Sequence, residues 1–349
     1  MRHQRTDGPI GVLLLQLGTP DDPSVPAVRR YLAEFLADPR VIETNRLLWR
    51  VLLHGVILRT RPRKSADKYR RIWSSDTGMP LLYHTRRQAE LLQASLGEGY
   101  LVRFAMRYGN PSIASVVKEM LRAGVRELVA LPKYPQYSAT STASAADALF
   151  SALQGERYVP SVRFISDYCD HPAYVQASVE LMEEELARLP WEPDHYVLTY
   201  HGIPQSYAKK GDPYAAQVQR TTRALVREMG WPQGTWSRTY QSLFGRAAWL
   251  KPYTEDWLLH LARQGKKRVF IATPGFTADC LETIDEVGRE LREVFLHAGG
   301  EALHRCPCLN SHPRWIAAMA ALVTGAETLP ARPEVPYPTS FAELSAHHG

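Results

Sequence analysis

One stretch of the chain changes its hydrophobic period within a few residues, and this change constrains the fold around it. Residues 267–272 end in a β-branched and apolar run, which predicts a buried strand. A turn follows at Pro274 and Gly275. Beyond it, apolar residues recur every three or four positions, which predicts an amphipathic helix: Leu281, Ile284, Val287, Leu291 and Val294. A strand, a turn and a helix in this order place the turn at the edge of an open α/β sheet, where such sheets bind ligands.

The polar side of this predicted helix is acidic. Asp279, Glu282 and Glu286 are spaced three and four residues apart, so they share one face over about two turns. Asp279 could cap the helix, with Glu282 completing a capping box, because acidic groups favour a helix N-terminus. The same face could instead bind a cation or relay protons. The spacing alone leaves both interpretations open.

A histidine follows a second predicted strand. Residues 196–200 form an apolar run, and His201 stands at its carboxyl end, before Gly202 and Pro204. Catalytic groups of α/β enzymes are often found at this position, and imidazole exchanges protons near neutral pH. The alternative is a structural histidine that is hydrogen-bonded in a loop.

The rest of the chain repeats the order strand, loop, helix, which predicts parallel sheets. Residues 126–134 and 267–276 loosely echo each other, which an α/β fold of two similar doubly wound, Rossmann-like lobes facing each other across a cleft would explain. We place the N-terminal lobe at 8–160 and the C-terminal lobe, which carries His201 and Glu282, at 161–325. A proline-rich tail occupies 326–349.

Composition limits the class of protein. The 349 residues are 45% hydrophobic and 22% charged, as in ordinary globular proteins, and the net charge of +6 favours an anionic partner without naming it. No stretch approaches the roughly 20 apolar residues of a membrane span, and the N-terminus lacks a secretory pattern. With only four cysteines, the chain fits a reducing compartment, and we expect it to be cytoplasmic.

The segment 45–64, here called the lip segment, mixes a broad apolar face with basic residues. It is either a buried helix with solvated ends or an interfacial segment that meets lipid or a flat apolar ligand. The second interpretation predicts peripheral membrane contact.

Short motifs in order along the chain resemble those of the ferrochelatases, which insert Fe(II) into a porphyrin in the last step of haem synthesis. They cover most of the chain, from about residue 10 to about residue 323. The matching motifs lie at 17–20, 107–111, 134–138, 200–204, 210–214, 240–242, 249–252 and 274–283. The resemblance implies the two-lobed fold, a lip over the porphyrin cleft, and a lyase that converts protoporphyrin IX to protohaem.

The resemblance also implies roles for individual residues. His201 would be the base that removes pyrrole protons, and Glu282 would face it, both of them also contacting the metal. Glu286 and Asp279 would form an acidic proton or metal relay behind Glu282. Arg71 is a candidate partner for a propionate, because guanidinium and carboxylate match in geometry. The predicted porphyrin-binding residues are Leu17, Arg71, Arg107, Tyr108, Tyr134, Ser242, Trp249 and Phe276.

Two departures from the family pattern concern cysteine. Cys280 stands where many ferrochelatases have a histidine, and a thiol carries protons poorly unless its pKa is lowered. Some ferrochelatases bind a [2Fe–2S] cluster through four cysteines. Here Ala139 replaces one candidate ligand, and Cys306 and Cys308 form a close pair without obvious partners, so we expect neither a cluster nor another required cofactor.

Three functional alternatives remain at this stage. Insertion into coproporphyrin is one, although Leu17 favours protoporphyrin because enzymes of the other type tend to carry tyrosine there. A tetrapyrrole or metal carrier on the same fold is the second, and a cobalt or nickel chelatase is the third. We expect a porphyrin and ferrous iron as partners and no nucleic acid, and leave monomer and homodimer open.

Overall fold

Two four-stranded parallel sheets organise the protein. The computed structural model describes residues 8–243, 245 and 247–329. The strand order is β2-β1-β3-β4 in the first sheet and β6-β5-β7-β8 in the second, and every strand pair is parallel. The two sheets therefore have the same topology, and the α/β class with two similar lobes, expected from the repeated strand–helix order, is confirmed.

The strands and helices alternate along the described chain. The strands are β1 Ile10–Gly18, β2 Tyr100–Tyr108, β3 Glu127–Pro132, β4 Ser161–Phe164, β5 His195–His201, β6 Trp236–Gln241, β7 Arg268–Ala272 and β8 Ala302–Arg305. The α-helices are α1 Val25–Ala37, α2 Arg46–Leu52, α3 Leu58–Ile72, α4 Pro80–Leu96, α5 Ile113–Arg122, α6 Ser144–Gln154, α7 Pro172–Ala187, α8 Gln205–Lys209, α9 Tyr214–Met229, α10 Thr254–Arg263, α11 Arg292–His297 and α12 Pro313–Thr324. Three π-helical stretches precede α3, α6 and α11, at Leu53–Ile57, Ala139–Ala143 and Glu282–Leu291.

The predicted acidic helix differs in type from the expectation. Glu282–Leu291 is π-helical and continues into α11, so the predicted amphipathic helix is present, but its turns are π-helical rather than α-helical over these ten residues. Hydrogen bonds from residue i to i+5 widen each turn, and such turns occur frequently at functional sites. A hydrophobic spacing of three and four does not distinguish the two helix types, because both bury one face.

One strand pairs in a different sheet from the one that its position in the sequence suggested. Ser161–Phe164 pairs in parallel with β3, so it completes the first sheet rather than beginning the second. The boundaries 8–160 and 161–325 stay a prediction, and most of the tail, residues 330–349, lies outside the described residues.

The two lobes share one large apolar core. Its members include Val12 and Leu14 of β1, Leu198 and Tyr200 of β5, and Trp315 of α12. Helices α4, α7 and α12 pack between the sheets, with α12 contacting both of the other two. This shared core holds the two sheets together, because buried side chains are close-packed.

The lip segment is helical and largely exposed. It runs through α2, the π-helical stretch Leu53–Ile57 and the start of α3. Leu53 and Leu58 are buried, whereas large apolar side chains on the other face are exposed. Among the described residues, no helix combines the length and the apolarity that crossing a membrane would require.

Candidate active site

The carboxyl ends of the central strands meet at the cleft. In the second sheet, β5 ends at His201, and β7 is followed by the turn that leads to Glu282. These two strands are neighbours whose connections leave in opposite directions, which is the switch point where open sheets bind ligands. In the first sheet, β1 ends beside Leu17 and β2 ends with Arg107 and Tyr108.

His201 is held in one tautomer. Its Nδ1 lies 2.7 Å from the carbonyl oxygen of Gly202. A carbonyl oxygen only accepts hydrogen bonds, so Nδ1 carries the proton and donates it, and Nε2 keeps its lone pair. The hydroxyl of Tyr214 donates to the carbonyl oxygen of His201 over 2.9 Å, which also fixes the end of the strand. The half-buried imidazole can therefore accept a proton at Nε2.

A clamped carboxylate lies near this histidine. The backbone N–H and the hydroxyl of Ser242 donate to the two carboxylate oxygens of Glu286, each over 2.7 Å. Burial raises the pKa of Glu286, and the negative charge of Glu282 adds to this rise. The hydrogen bonds from Ser242 and the nearby His201 act in the opposite direction and lower the pKa of Glu286. Glu286, Glu282 and His201 therefore interact electrostatically and form one cluster.

Asp279 has a different environment. It is buried, and its carboxylate accepts from Arg305 and Thr283 over 2.7 Å and from Asn310 over 2.8 Å. Burial alone would raise the pKa of Asp279, but Arg305 and these hydrogen bonds hold it below its ordinary value. Asp279 thus anchors the start of the acidic helix to β8, and its predicted part in a relay stays a prediction.

Both predicted substrate-binding arginines are paired with buried aspartates. Arg71 lies 3.3 Å from Asp285, which also accepts from Arg289 over 2.7 Å. Arg107 donates to Asp38, and its Nε donates to the hydroxyl of Ser144 over 2.7 Å. The hydroxyl of Tyr108 donates to the same oxygen of Asp38 over 2.8 Å. These pairs hold the two guanidinium groups in place and reduce their net charge.

The predicted apolar wall comes from both lobes. Leu17 of β1 and Trp49 of the lip segment pack into one cluster with Leu281 and Ile284, which lie at the start of the acidic helix. Phe276 packs in a separate small cluster. Trp249 is buried and pairs with Pro204, and the hydroxyl of Tyr134 is buried without a hydrogen-bond partner among the described residues.

Sequence reasoning missed three residues near Glu282. Burial raises the pKa of both Tyr31 and Tyr69, and the charge of Glu282 adds to the rise. The rings of these two tyrosines meet edge-on, with their centroids 6.3 Å apart. Burial lowers the pKa of Arg61, which interacts with Tyr69. All three lie on α1 and α3. No pattern in the sequence could have selected them, because tyrosines at helical spacing are typical of core.

The cysteines are buried thiols. Burial raises the pKa of Cys280, Cys306 and Cys308, and the charge of Glu282 adds to the rise at Cys280. Over the described residues, no three side chains of His, Cys, Asp or Glu are grouped so that they could hold a metal ion. The expectation about an iron–sulfur cluster stays a prediction.

The chain is similar to known proteins over most of its length. The family model "Ferrochelatase" matches residues 9–327. A ferrochelatase of Marinobacter nauticus is 48% identical over 326 residues, which covers 92% of this chain and 87% of the relative. A ferrochelatase of Pectobacterium atrosepticum is 47% identical over 313 residues, with 90% and 97% covered.

A solved structure shows the same fold at low identity. SirB from Bacillus subtilis with Fe3+ aligns with a TM-score of 0.53 at 13% identity, over 91% of this chain and 96% of that one. At this identity the likeness concerns the fold alone.

Proposed function

The chain belongs to the ferrochelatase family, and on this premise we propose that it inserts Fe(II) into protoporphyrin IX, with His201 as the base for the pyrrole protons. Family membership makes it a metal-chelating lyase of haem biosynthesis. The observation that carries the residue assignment is the fixed tautomer of His201, whose Nε2 is free to accept a proton next to an acidic pair.

The reaction places three demands on the protein. Two pyrrole protons must leave the porphyrin, and a divalent cation must reach the four nitrogens that held them. A planar macrocycle directs its nitrogen lone pairs inward, so a site that binds a bent ring lowers the barrier. A cleft with apolar walls, a base, and an anionic group near the ring together meet these demands.

His201 supplies the base. The hydrogen bond from Nδ1 to the carbonyl oxygen of Gly202 orients the ring and stabilises the imidazolium that forms when Nε2 takes a proton. Each pyrrole proton leaves through Nε2 and passes to solvent or to a neighbouring carboxylate before the next turnover.

Glu282 and Glu286 supply the anionic side. Ser242 holds Glu286 with two hydrogen bonds, and burial together with the charge of Glu282 raises the pKa of Glu286, which favours its protonated form. Glu282, at the first position of the π-helical stretch, would face the metal, and Glu286 would carry protons or metal from behind it. Asp279 holds the start of the acidic helix, which carries this pair, through its ion pair with Arg305.

The substrate contacts follow from the walls of the cleft. Leu17, Tyr134, Trp249 and Phe276 are proposed to contact the ring, together with Tyr108 at the end of β2. Arg71 and Arg107 are proposed to face propionates, each with a buried aspartate that orients its guanidinium group. Ser242 reaches the same cleft from the second lobe.

The test is the absorbance of the purified protein mixed anaerobically with protoporphyrin and Fe(II). We expect the wild type to convert the free-base spectrum to the metallated one, and His201→Ala to bind porphyrin but not metallate it. The exposed His260, replaced in His260→Ala, is the matched control and should behave as wild type.

Three outcomes would change the proposal. Metallation by His201→Ala at near wild-type rate would remove His201 as the base. A bound but unchanged porphyrin in the wild type would indicate a carrier or a chelatase for another metal, which Co(II) would distinguish. Faster turnover of coproporphyrin than of protoporphyrin would reassign the substrate.

A peripheral contact between the lip segment and a lipid surface is the second part of the proposal, and it would place a cytoplasmic enzyme at a membrane. Its support is the exposed apolar face of α2, where Leu47, Leu48 and Val51 are 73–78% exposed. Basic residues flank this face on α2 and α3, as in helices that lie at anionic membrane surfaces.

A further inference from the structure

The base of the lip contacts the segment that follows His201. The loop between α1 and α2 contains Val41 and Glu43, and α8 begins four residues after His201. The two segments are more than 160 residues apart in sequence and are joined by hydrogen bonds and an ion pair. The base of the lip is thus attached to the segment that follows the proposed base along the chain.

Tyr207 makes the central contacts of this junction. Its hydroxyl donates to the carbonyl oxygen of Val41 over 3.1 Å and accepts from the backbone N–H of Glu43 over 3.3 Å. Lys210 forms an ion pair with Glu43 beside it. We call these four residues the clasp.

Two further hydrogen bonds hold α2 next to the clasp. The indole N–H of Trp49 donates to the carbonyl oxygen of Leu36 over 2.7 Å, and Arg46 donates to that of Ala37. These bonds fix α2 to the end of α1, next to the loop that Tyr207 holds. Because the loop that Tyr207 holds runs directly into the N-cap of α2 at Asn45, release of the loop would loosen the first turn of α2.

Beyond the lip segment, α3 forms ion pairs with the acidic helix. Lys68 and Arg71 of α3 pair with Glu290 over 2.7 Å and with Asp285 over 3.3 Å. The residues that flank the lip segment therefore contact the second lobe on both sides of it, once after His201 and once at the helix of Glu282. Its apolar centre, with Leu48 and Val51, lies between them.

The hydroxyl of Tyr207 contributes more to the clasp than the ion pair does. The side chain of Lys210 is 63% exposed, and exposed ion pairs add little to stability. The ring of Tyr207 packs against the shared core, and burial raises the pKa of Tyr207, so the hydroxyl keeps the proton that it donates to Val41.

We propose that Tyr207 is a positioning residue that holds the base of the lip on the segment following His201, so that the porphyrin meets a cleft whose lip is already in place. The inference rests on the proposed function, because the lip and His201 must border the same porphyrin cleft. When the lip is out of place for part of the time, the apparent dissociation constant for porphyrin rises as the inverse of the fraction of time that it spends in place.

The test compares Tyr207→Phe with the wild type. We expect the porphyrin dissociation constant, measured by fluorescence quenching without metal, to rise about threefold to tenfold, as the loss of one net hydrogen bond implies. The KM for porphyrin should rise equally, whereas kcat and the KM for iron should not change. Tyr158→Phe is the matched control, because Tyr158 is also partly exposed and its ring lies under Arg126 instead.

A second variant and clear outcomes keep the inference testable. Glu43→Gln removes the ion pair but keeps the backbone bond to Tyr207, so it should raise the porphyrin KM less than Tyr207→Phe does. If the wild type metallates porphyrin and Tyr207→Phe matches it in every constant, Tyr207 does not position the lip. A loss of kcat at unchanged KM would also overturn the inference, whereas a wild type that fails to metallate would refute the proposed function instead.

Discussion

Ser242 is a single residue in an unusual conformation that orients a second residue. Its φ of 63° lies in the left-handed region, which costs a non-glycine residue on the order of 1 kcal/mol or more. In this conformation its N–H and its hydroxyl both donate to the carboxylate of Glu286. Two charge-assisted hydrogen bonds offset the strain, so the conformation persists next to the acidic pair.

At the same scale, replacing Glu282 by glutamine should slow metallation by about 10²-fold or more, because a neutral amide can neither accept a proton nor hold a cation. Porphyrin affinity should change little. The measurement is kcat from anaerobic metallation, with the porphyrin dissociation constant from fluorescence quenching. Glu293→Gln is the matched control, since Glu293 lies on α11, which continues the same stretch, and pairs with Arg289. Equal losses in both variants would mean that negative charge in general, and not Glu282, matters.

The lip is an element with one exposed apolar face, on which we propose contact with lipid. Leu47, Leu48, Val51, Leu52 and Val56 are 45–78% exposed, although buried neighbours such as Leu53 show that the opposite face is core. Contiguous exposed apolar patches mark binding surfaces more often than single exposed residues do. The element therefore combines a packed face with a face suited to lipid.

Polar substitution of this face should weaken binding to lipid. The double variant Leu48→Ser, Leu52→Ser should lower partitioning onto vesicles of phosphatidylcholine with anionic lipid by about tenfold, because each exposed leucine would otherwise bury apolar area. Cosedimentation with the vesicles measures the change.

The matched control for the lip is Phe150→Ser, which changes an exposed apolar residue of α6. It should pellet with vesicles as the wild type does. Unchanged cosedimentation of the double variant would instead leave the lip without a role at lipid.

At the scale of the whole molecule, Lys133 connects the first sheet to α12, which lies near the C-terminal end of the described residues. It follows β3, is 1% exposed, and its Nζ lies 2.7 Å from the sulfur of Met319 and 4.4 Å from the ring of Trp315, both on α12. Burial lowers the pKa of Lys133 well below its ordinary value of 10.5. A buried amine in apolar surroundings costs stability when it must carry a charge.

Lys133→Met should therefore stabilise the protein at neutral pH by about 1–3 kcal/mol. The unfolded chain binds the Lys133 proton more tightly than the folded protein does, so this residue's contribution to stability falls as pH drops from 10.5 towards the folded pKa. The advantage of the variant should shrink between about pH 7 and about pH 10. Urea unfolding across this range measures it, and a constant difference would mean that Lys133 keeps its charge in the fold.

Local patterns in the sequence determined the parallel α/β architecture and the family. Period and β-branching depend on neighbouring residues only, so the strands before His201 and before the acidic helix could be predicted, and with them the position of both groups at a sheet edge. The order of short motifs along the chain predicted the ferrochelatase family, which the family model and the curated relatives confirm.

Only the tertiary structure decided which partner each charged or polar group has and how the backbone turns at the site. Asp285 pairs with Arg71 across 214 residues, Ser242 clamps Glu286, and β4 joins the first sheet. The wide π-helical turns that begin at Glu282 could not be predicted from the hydrophobic spacing, because an α-helix would have the same spacing. Such choices depend on long-range packing, in which many side chains compete for the same space, and so local sequence does not specify them.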